Sequence, residues 1–80
     1  MKARVLVRLK PSILDAQGAS VKRALEGLGF PEVKDVRVGK VLDLELNGLS
    51  REDARRRIEE MCGRLLCNPV IEDFTVEVLG

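Results

Sequence analysis

Cys62 and Cys67 are the only thiols in this sequence of 80 residues. Five positions apart, they fit neither a CxxC redox pair nor a paired metal knuckle, and both are expected to be reduced and structural. There is no histidine, so the commonest general base and a leading metal ligand are missing together. Glu72 and Asp73 adjoin and would point to opposite faces of a strand, a poor geometry for shared acid and base work. Gly39 and Lys40 hint at a phosphate loop but lack the earlier Gly and the following Ser or Thr, so they read as a turn with an exposed lysine. Arg55, Arg56 and Arg57 would spread over roughly 200° of a helix surface, and Glu59 and Glu60 neutralise them, which describes a solvated face. The segment from Lys10 to Gly18 is more promising. It places Lys10, Asp15 and Gln17 near a helix N-terminus, where an anion or a partner's acidic group can bind, although capping alone explains Asp15. No catalytic residue and no metal ligand is expected, and independent catalysis is disfavoured.

The elements that carry these residues follow from periodicity. Val5, Val7 and Leu9 alternate with Arg4, Leu6 and Arg8, which predicts a first strand over Ala3–Leu9. Asp15 caps a helix from about Ala16 to Leu28, whose stripe of Val21, Ala24, Leu25 and Leu28 is expected to pack on a sheet. Gly29 and Pro31 end it. Val33, Val36 and Val38 start an extended stretch that resumes with Val41, Leu42, Leu44 and Leu46. Gly39 and Lys40 suit a type II′ hairpin turn within it, and one long strand kinked or bulged at Gly39 is the alternative.

Ser50 caps a second helix, with Ala54, Ile58, Met61 and Leu65 as its apolar stripe, and Asn68 with Pro69 ends it. Phe74, Val76 and Val78 alternate in a last strand. The order βαββαβ predicts an α+β, ferredoxin-like fold: a four-stranded antiparallel sheet, both helices on one face, the first strand between the third and fourth. Arg4 and Arg8 would then lie between Asp43 and Glu45 on one side and Asp73, Thr75 and Glu77 on the other. Leu6, Val41 and Leu79 share that helix-free face, so strand edges or parts of the face are expected to meet another subunit.

Eighty residues make one domain, 1–80, too small to bury much more than about 60% of its unfolded surface. With 45% apolar residues, such a module tends to complete its core by forming a dimer or a tetramer. Fourteen basic against thirteen acidic residues leave a net charge of +1, and there is no Trp or Tyr. A nucleic-acid partner thus lacks both its electrostatic attraction and its stacking platforms. No apolar run nears the roughly 18 residues of a spanning helix, and Met1 to Lys10 alternates instead of forming a signal core, so a cytoplasmic protein with no membrane partner is expected.

Several blocks carry more than physics does. They are Leu9, Lys10, Pro11, Leu14, Asp15, Gln17 and Gly18; Ala24, Leu25, Leu28, Gly29 and Phe30; Val36 to Lys40; and Met61, Cys62, Leu65 and Leu66 running into Asn68–Asp73. In this order and spacing the chain resembles the PurS family, the small subunits of phosphoribosylformylglycinamidine synthase. Ala16 stands where that family often has Pro, and Cys67 where it often has Ala; both changes are mild.

The resemblance implies a non-catalytic subunit of an ATP-dependent ligase and glutamine amidotransferase of purine biosynthesis. Such a subunit bridges a glutaminase subunit, which releases ammonia, and a large synthetase subunit, which uses ATP and Mg²⁺ to aminate formylglycinamide ribonucleotide. No cofactor is expected on this chain itself. Partner contacts are expected from the exposed polar members of the matching blocks: Lys10, Asp15, Gln17, Arg37, Lys40, Asn68 and Glu72. Three other functions share the topology. A regulatory module of the ACT type would bind a small ligand at a dimer interface. An acylphosphatase-like enzyme would need a phosphate-cradling loop with Arg where Lys10, Pro11 and Ser12 stand, and a metal chaperone would need a CxxC there.

Overall fold

The computed structural model describes all residues from Met1 to Gly80. Strand β1 runs over Lys2–Leu9, helix α1 over Ala16–Gly27, strand β2 over Gly39–Glu45, helix α2 over Arg51–Met61 and strand β3 over Glu72–Val78; a π-helical turn, Cys62–Leu66, prolongs α2. The sheet is antiparallel with the order β2-β1-β3. It thus has three strands where four were expected. The central position of β1 is as expected, and Arg4 lies between Asp43 and Glu77 as expected; Arg8 lies opposite Asp73 on β3 but opposite Gly39, not a carboxylate, on β2, and Glu45 faces Lys2.

The missing strand is Val33–Val38. A type II′ turn would need positive φ at Gly39, and positive φ is confined to Gly29, Gly48 and Gly80. Gly39 is instead the first residue of β2, facing Arg8, so neither a hairpin nor one long strand forms. In the expected sheet this segment would pair with the outer edge of β2, which the order β2-β1-β3 leaves open. The amide of Val38 donates to the Asp15 carboxylate at 2.7 Å, which removes a ladder donor and ties the segment to the start of α1.

Helix α2 packs as its period demands, and it does so on the side of the sheet that β3 occupies. Ser50 accepts from the Asp53 amide at 3.2 Å, and Ala54, Ile58 and Cys62 face the sheet fully buried. They join Ala3, Val5, Val7, Cys67 and Val76 as the buried apolar residues. Leu65, expected in the same stripe, is 83% exposed, because the helix widens past Met61. The Cys67 amide bonds to the Cys62 carbonyl five residues back at 3.1 Å, which turns Cys67 inward and Leu65 out.

Helix α1 departs from expectation. It ends as the sequence dictates: Gly29 has φ +96°, its amide donates to Glu26 at 3.2 Å, and the Phe30 amide reaches Leu25 at 3.0 Å, a Schellman closure. Its apolar stripe, however, does not lie on the sheet. Val21, Ala24 and Leu28 are exposed, the last at 73%, and Leu25 is half-buried. The molecule measures 49 × 25 × 14 Å with a radius of gyration of 16.0 Å. A compact chain of this length would have about 12 Å. Only one helix therefore covers the sheet, and Leu42, Leu44 and Leu46 of the β2 side stay half-buried.

Candidate functional site

The seven polar residues singled out above all come to one end of the sheet, where β1 finishes and β2 and β3 begin. Their side chains divide between its two faces. Strand alternation decides this: Val7 and Leu9 face the α2 side together with their partners Lys40 and Glu72, while Leu6 and Arg8 face away with Thr75 and Asp73.

Asp15 is the hub on the α2 side. It is 6% exposed and caps α1 by accepting from the Gly18 amide at 2.7 Å, while its other oxygen takes the Val38 amide. The Val38 bond, then the Gly18 bond, hold its carboxyl below the ordinary 3.8, against the opposing effect of burial. Gly18 is required here, because a Cβ would sit 2.1 Å from the Val36 carbonyl oxygen. Asp15, Gly18, Val36 and Val38 thus form a clasp between the first turn of α1 and the segment that leads into β2. Beside it, Gln17, Lys40 and Glu72 line a cavity of about 270 Å³ floored by Val7 and Leu9.

Asn68 and Glu72 close the turn before β3. The Asn68 side chain accepts from the Val70 amide at 3.1 Å, and the Glu72 carboxylate accepts from the Asn68 amide at 2.7 Å. The turn is pinned to β1 by the Lys10 amide, which donates to Ile71 at 2.8 Å. The Lys10 ammonium pairs with Asp73 at 3.1 Å, and the Lys10 carbonyl accepts from the Arg37 guanidinium at 2.9 Å. Asp15, Asn68 and Glu72 are consequently engaged in holding the chain together, whereas Gln17 and Lys40 extend unpaired from the same end.

Sequence reasoning missed Arg8 and Asp35. With Arg37, Asp73, Leu6 and Pro11 they line a cavity of about 490 Å³ on the helix-free face. The available signal was the alternation of β1, which puts Arg8 on that face, but nothing local shows that residues 35–37 fold back over it.

Burial pushes the Cys62 and Cys67 thiols up, with the charges of Glu72 and Asp73 adding to the effect on Cys67, so neither is a ready thiolate. No three His, Cys, Asp or Glu side chains lie close enough together to hold a metal ion, and no helix is long and apolar enough to cross a membrane. The arrangement offers fixed charges, amides and apolar surface at one end of an elongated module of the small α+β class.

Comparison with known proteins gives that class a family. Residues 2–80 match the family model of PurS, described as phosphoribosylformylglycinamidine (FGAM) synthase. The chain is 46% identical over 77 residues to the FGAM synthase subunit PurS of Bacillus subtilis, spanning 96% of this chain and 90% of that one. It is 42% identical to the same subunit of Methanocaldococcus jannaschii, spanning 96% and 93%. Among solved structures it superposes on Bacillus subtilis PurS with a TM-score of 0.89 at 44% identity, over 99% of this chain and 98% of that one. It also matches a chain in the structure of PurLQS from Thermotoga maritima with a TM-score of 0.88 at 31% identity, over 98% and 95%. The chain belongs to the PurS family of FGAM synthase subunits, and its place is in purine biosynthesis as part of that ligase and amidotransferase complex.

Proposed function

We propose that this chain bridges the glutaminase and the large synthetase of FGAM synthase in the cytoplasm, and that its contacts are made from the sheet end bearing Lys10, Gln17, Arg37 and Lys40. Asp15, Asn68 and Glu72 serve the same end by shaping it. One observation carries this reading: residues matched to the family in three separate blocks converge on one end of the fold and form no catalytic constellation there. The amination itself, with ATP and Mg²⁺, belongs to the larger partners. A bridge helps because free ammonia is lost to protonation and diffusion, and holding two active sites together raises its effective concentration.

The bridge works as a dimer or a tetramer. Within one chain the apolar stripe of α1 has nothing to cover, while Leu42 and Leu44 on β2, with Leu46 just past its end, have no helix over them. A second copy supplies each with the other reciprocally, as a two-fold interface requires.

The test is amination of formylglycinamide ribonucleotide by the matching synthetase and glutaminase, with and without this chain, using glutamine or ammonia as nitrogen source. The expected result is a strong requirement for the chain with glutamine and a much weaker one with ammonia. Equal rates in all four reactions, with no co-migration of the chain with either subunit, would refute the bridge.

A further inference from the structure

The outer edge of β2 is open, and the phase of its hydrogen bonding can be read from one end. The Leu46 amide donates to the Met1 carbonyl at 2.9 Å and the Met1 ammonium donates to the Leu46 carbonyl at 3.1 Å, so the even-numbered residues of β2 turn their backbone groups toward β1. The odd-numbered ones, Gly39, Val41, Asp43 and Glu45, turn theirs outward. The same alternation continues before the strand: the Val38 amide is held by Asp15 and the Val36 carbonyl lies against Gly18, whereas the backbone groups of Arg37 bond to nothing. From Arg37 to Glu45 one row of donors and acceptors is thus left unpaired, with no proline to blunt it.

We propose that a second copy of this chain covers that row, β2 against β2 about a two-fold axis at Val41, so that Arg37 of each copy faces Glu45 of the other. Outward groups on odd-numbered residues require odd to face odd, which also keeps the leucines of both copies on one face. The neighbouring registers are worse. An axis at Lys40 or at Asp43 sets like charges directly opposite, and an axis at Leu42 sets Val41 against Asp43 and leaves Arg37 opposite Asn47. The axis at Val41 instead sets this valine, 57% exposed, against its own counterpart, lines Val36 and Val38 up with Leu46 and Leu44, and places Asp35 opposite Asn47. It also joins Arg37 to Glu45 twice. Neither has an ion-pair partner in its own chain, and the Arg37 bond to the Lys10 carbonyl leaves further N–H donors free. Such a contact is self-complementary and closes at two copies. Because the Asp15 clasp ties Val36 and Val38 to α1, the pairing carries the start of that helix to Leu44 and Leu46 of the second copy, which need a cover. The inference rests on the homo-oligomer proposed above and names its line of contact and its register.

The test is sedimentation equilibrium with amide exchange on the intact chain, comparing wild type with Arg37→Glu, Glu45→Arg, the double variant and the control Arg55→Glu. Arg55 lies exposed on α2. Each single reversal should raise the dissociation constant by about 10- to 100-fold, because two attractive pairs per dimer become repulsive. The double variant should return to within about threefold of wild type, and the control should not depart from it. In associated wild type the Val41 and Asp43 amides should exchange at least about tenfold more slowly than in either dissociated single variant, while those of Leu42 and Leu44, bonded to β1, stay protected throughout. An associated wild type that ignores both single reversals, or whose Val41 and Asp43 amides exchange as freely as an open edge, would overturn the contact and leave the homo-oligomer standing. Weakening by the single reversals without recovery in the double variant would overturn the register. A wild type that sediments as a monomer would remove the homo-oligomer and the contact together, and the amination test above would still decide the bridge.

Discussion

The two helices start from similar sequence patterns and end in different situations. Both have a polar cap and an apolar stripe, yet α2 buries Ala54 and Ile58 completely, while α1 leaves Val21 and Leu28 in solvent. Helix α2 is held by packing. Helix α1 is held at its first turn by the Asp15 clasp and by little else. An amphipathic pattern therefore specifies that a helix needs a cover, and whether the cover is on the same chain depends on what its flanking segments bind.

The contrast is sharpest for substitutions in the two stripes. Ile58→Ala should lower stability by about 2–5 kcal/mol, enough to unfold much of a small domain, as thermal melting would show. Leu28→Glu should leave the monomer's fold intact, yet weaken self-association by roughly 100-fold or more in sedimentation equilibrium. If both variants only melted, with no change in association, α1 would be covered within its own chain and the distinction would fail.

The clasp offers two further ways to separate the regions. Gly18→Ala drives a Cβ into the Val36 carbonyl, so the Val38 amide should exchange at least roughly tenfold faster while the amides of β1 and β3 stay protected. Acid should do the same gradually. Because the folded carboxyl of Asp15 titrates below its unfolded value near 3.8, its contribution is fully present above that pH and is lost as pH falls through the lower folded value. Amide chemical shifts of Gly18 and Val38 should follow this titration, and Asp15→Asn should abolish it. The smallest effect is expected from Lys10→Met, since the Lys10–Asp73 pair is solvent-exposed and contributes about 0–1 kcal/mol.

Much of this was legible in the residues. Alternation located β1 and β3 and put Arg4 and Arg8 on the right face because side chains on a strand repeat every two residues, but it did not show that Arg8 would lie opposite Gly39 on β2. The caps at Asp15 and Ser50 and the stop at Gly29 are local chemistry, read from a few neighbours. Val33–Val38 failed because extended conformation is local and pairing is not: its fate depends on a carboxylate 23 residues earlier. Leu65 failed because the π-turn shifts the helix phase without a sequence marker. At the site, the resemblance chose seven residues that do converge, but only the structure separates those that build the end from those that extend from it. Arg8 escaped notice because its distinction is to lack a partner, which no spacing reveals.

The uncovered stripe of α1 also bears on how much of this chain a cell can keep. A copy made in excess of its companions retains exposed leucine and valine on a helix anchored at one end, where local opening needs little free energy. Such an orphan is the form a protease meets first, so turnover should trim the subunit toward the stoichiometry of its assembly without any dedicated control of its synthesis.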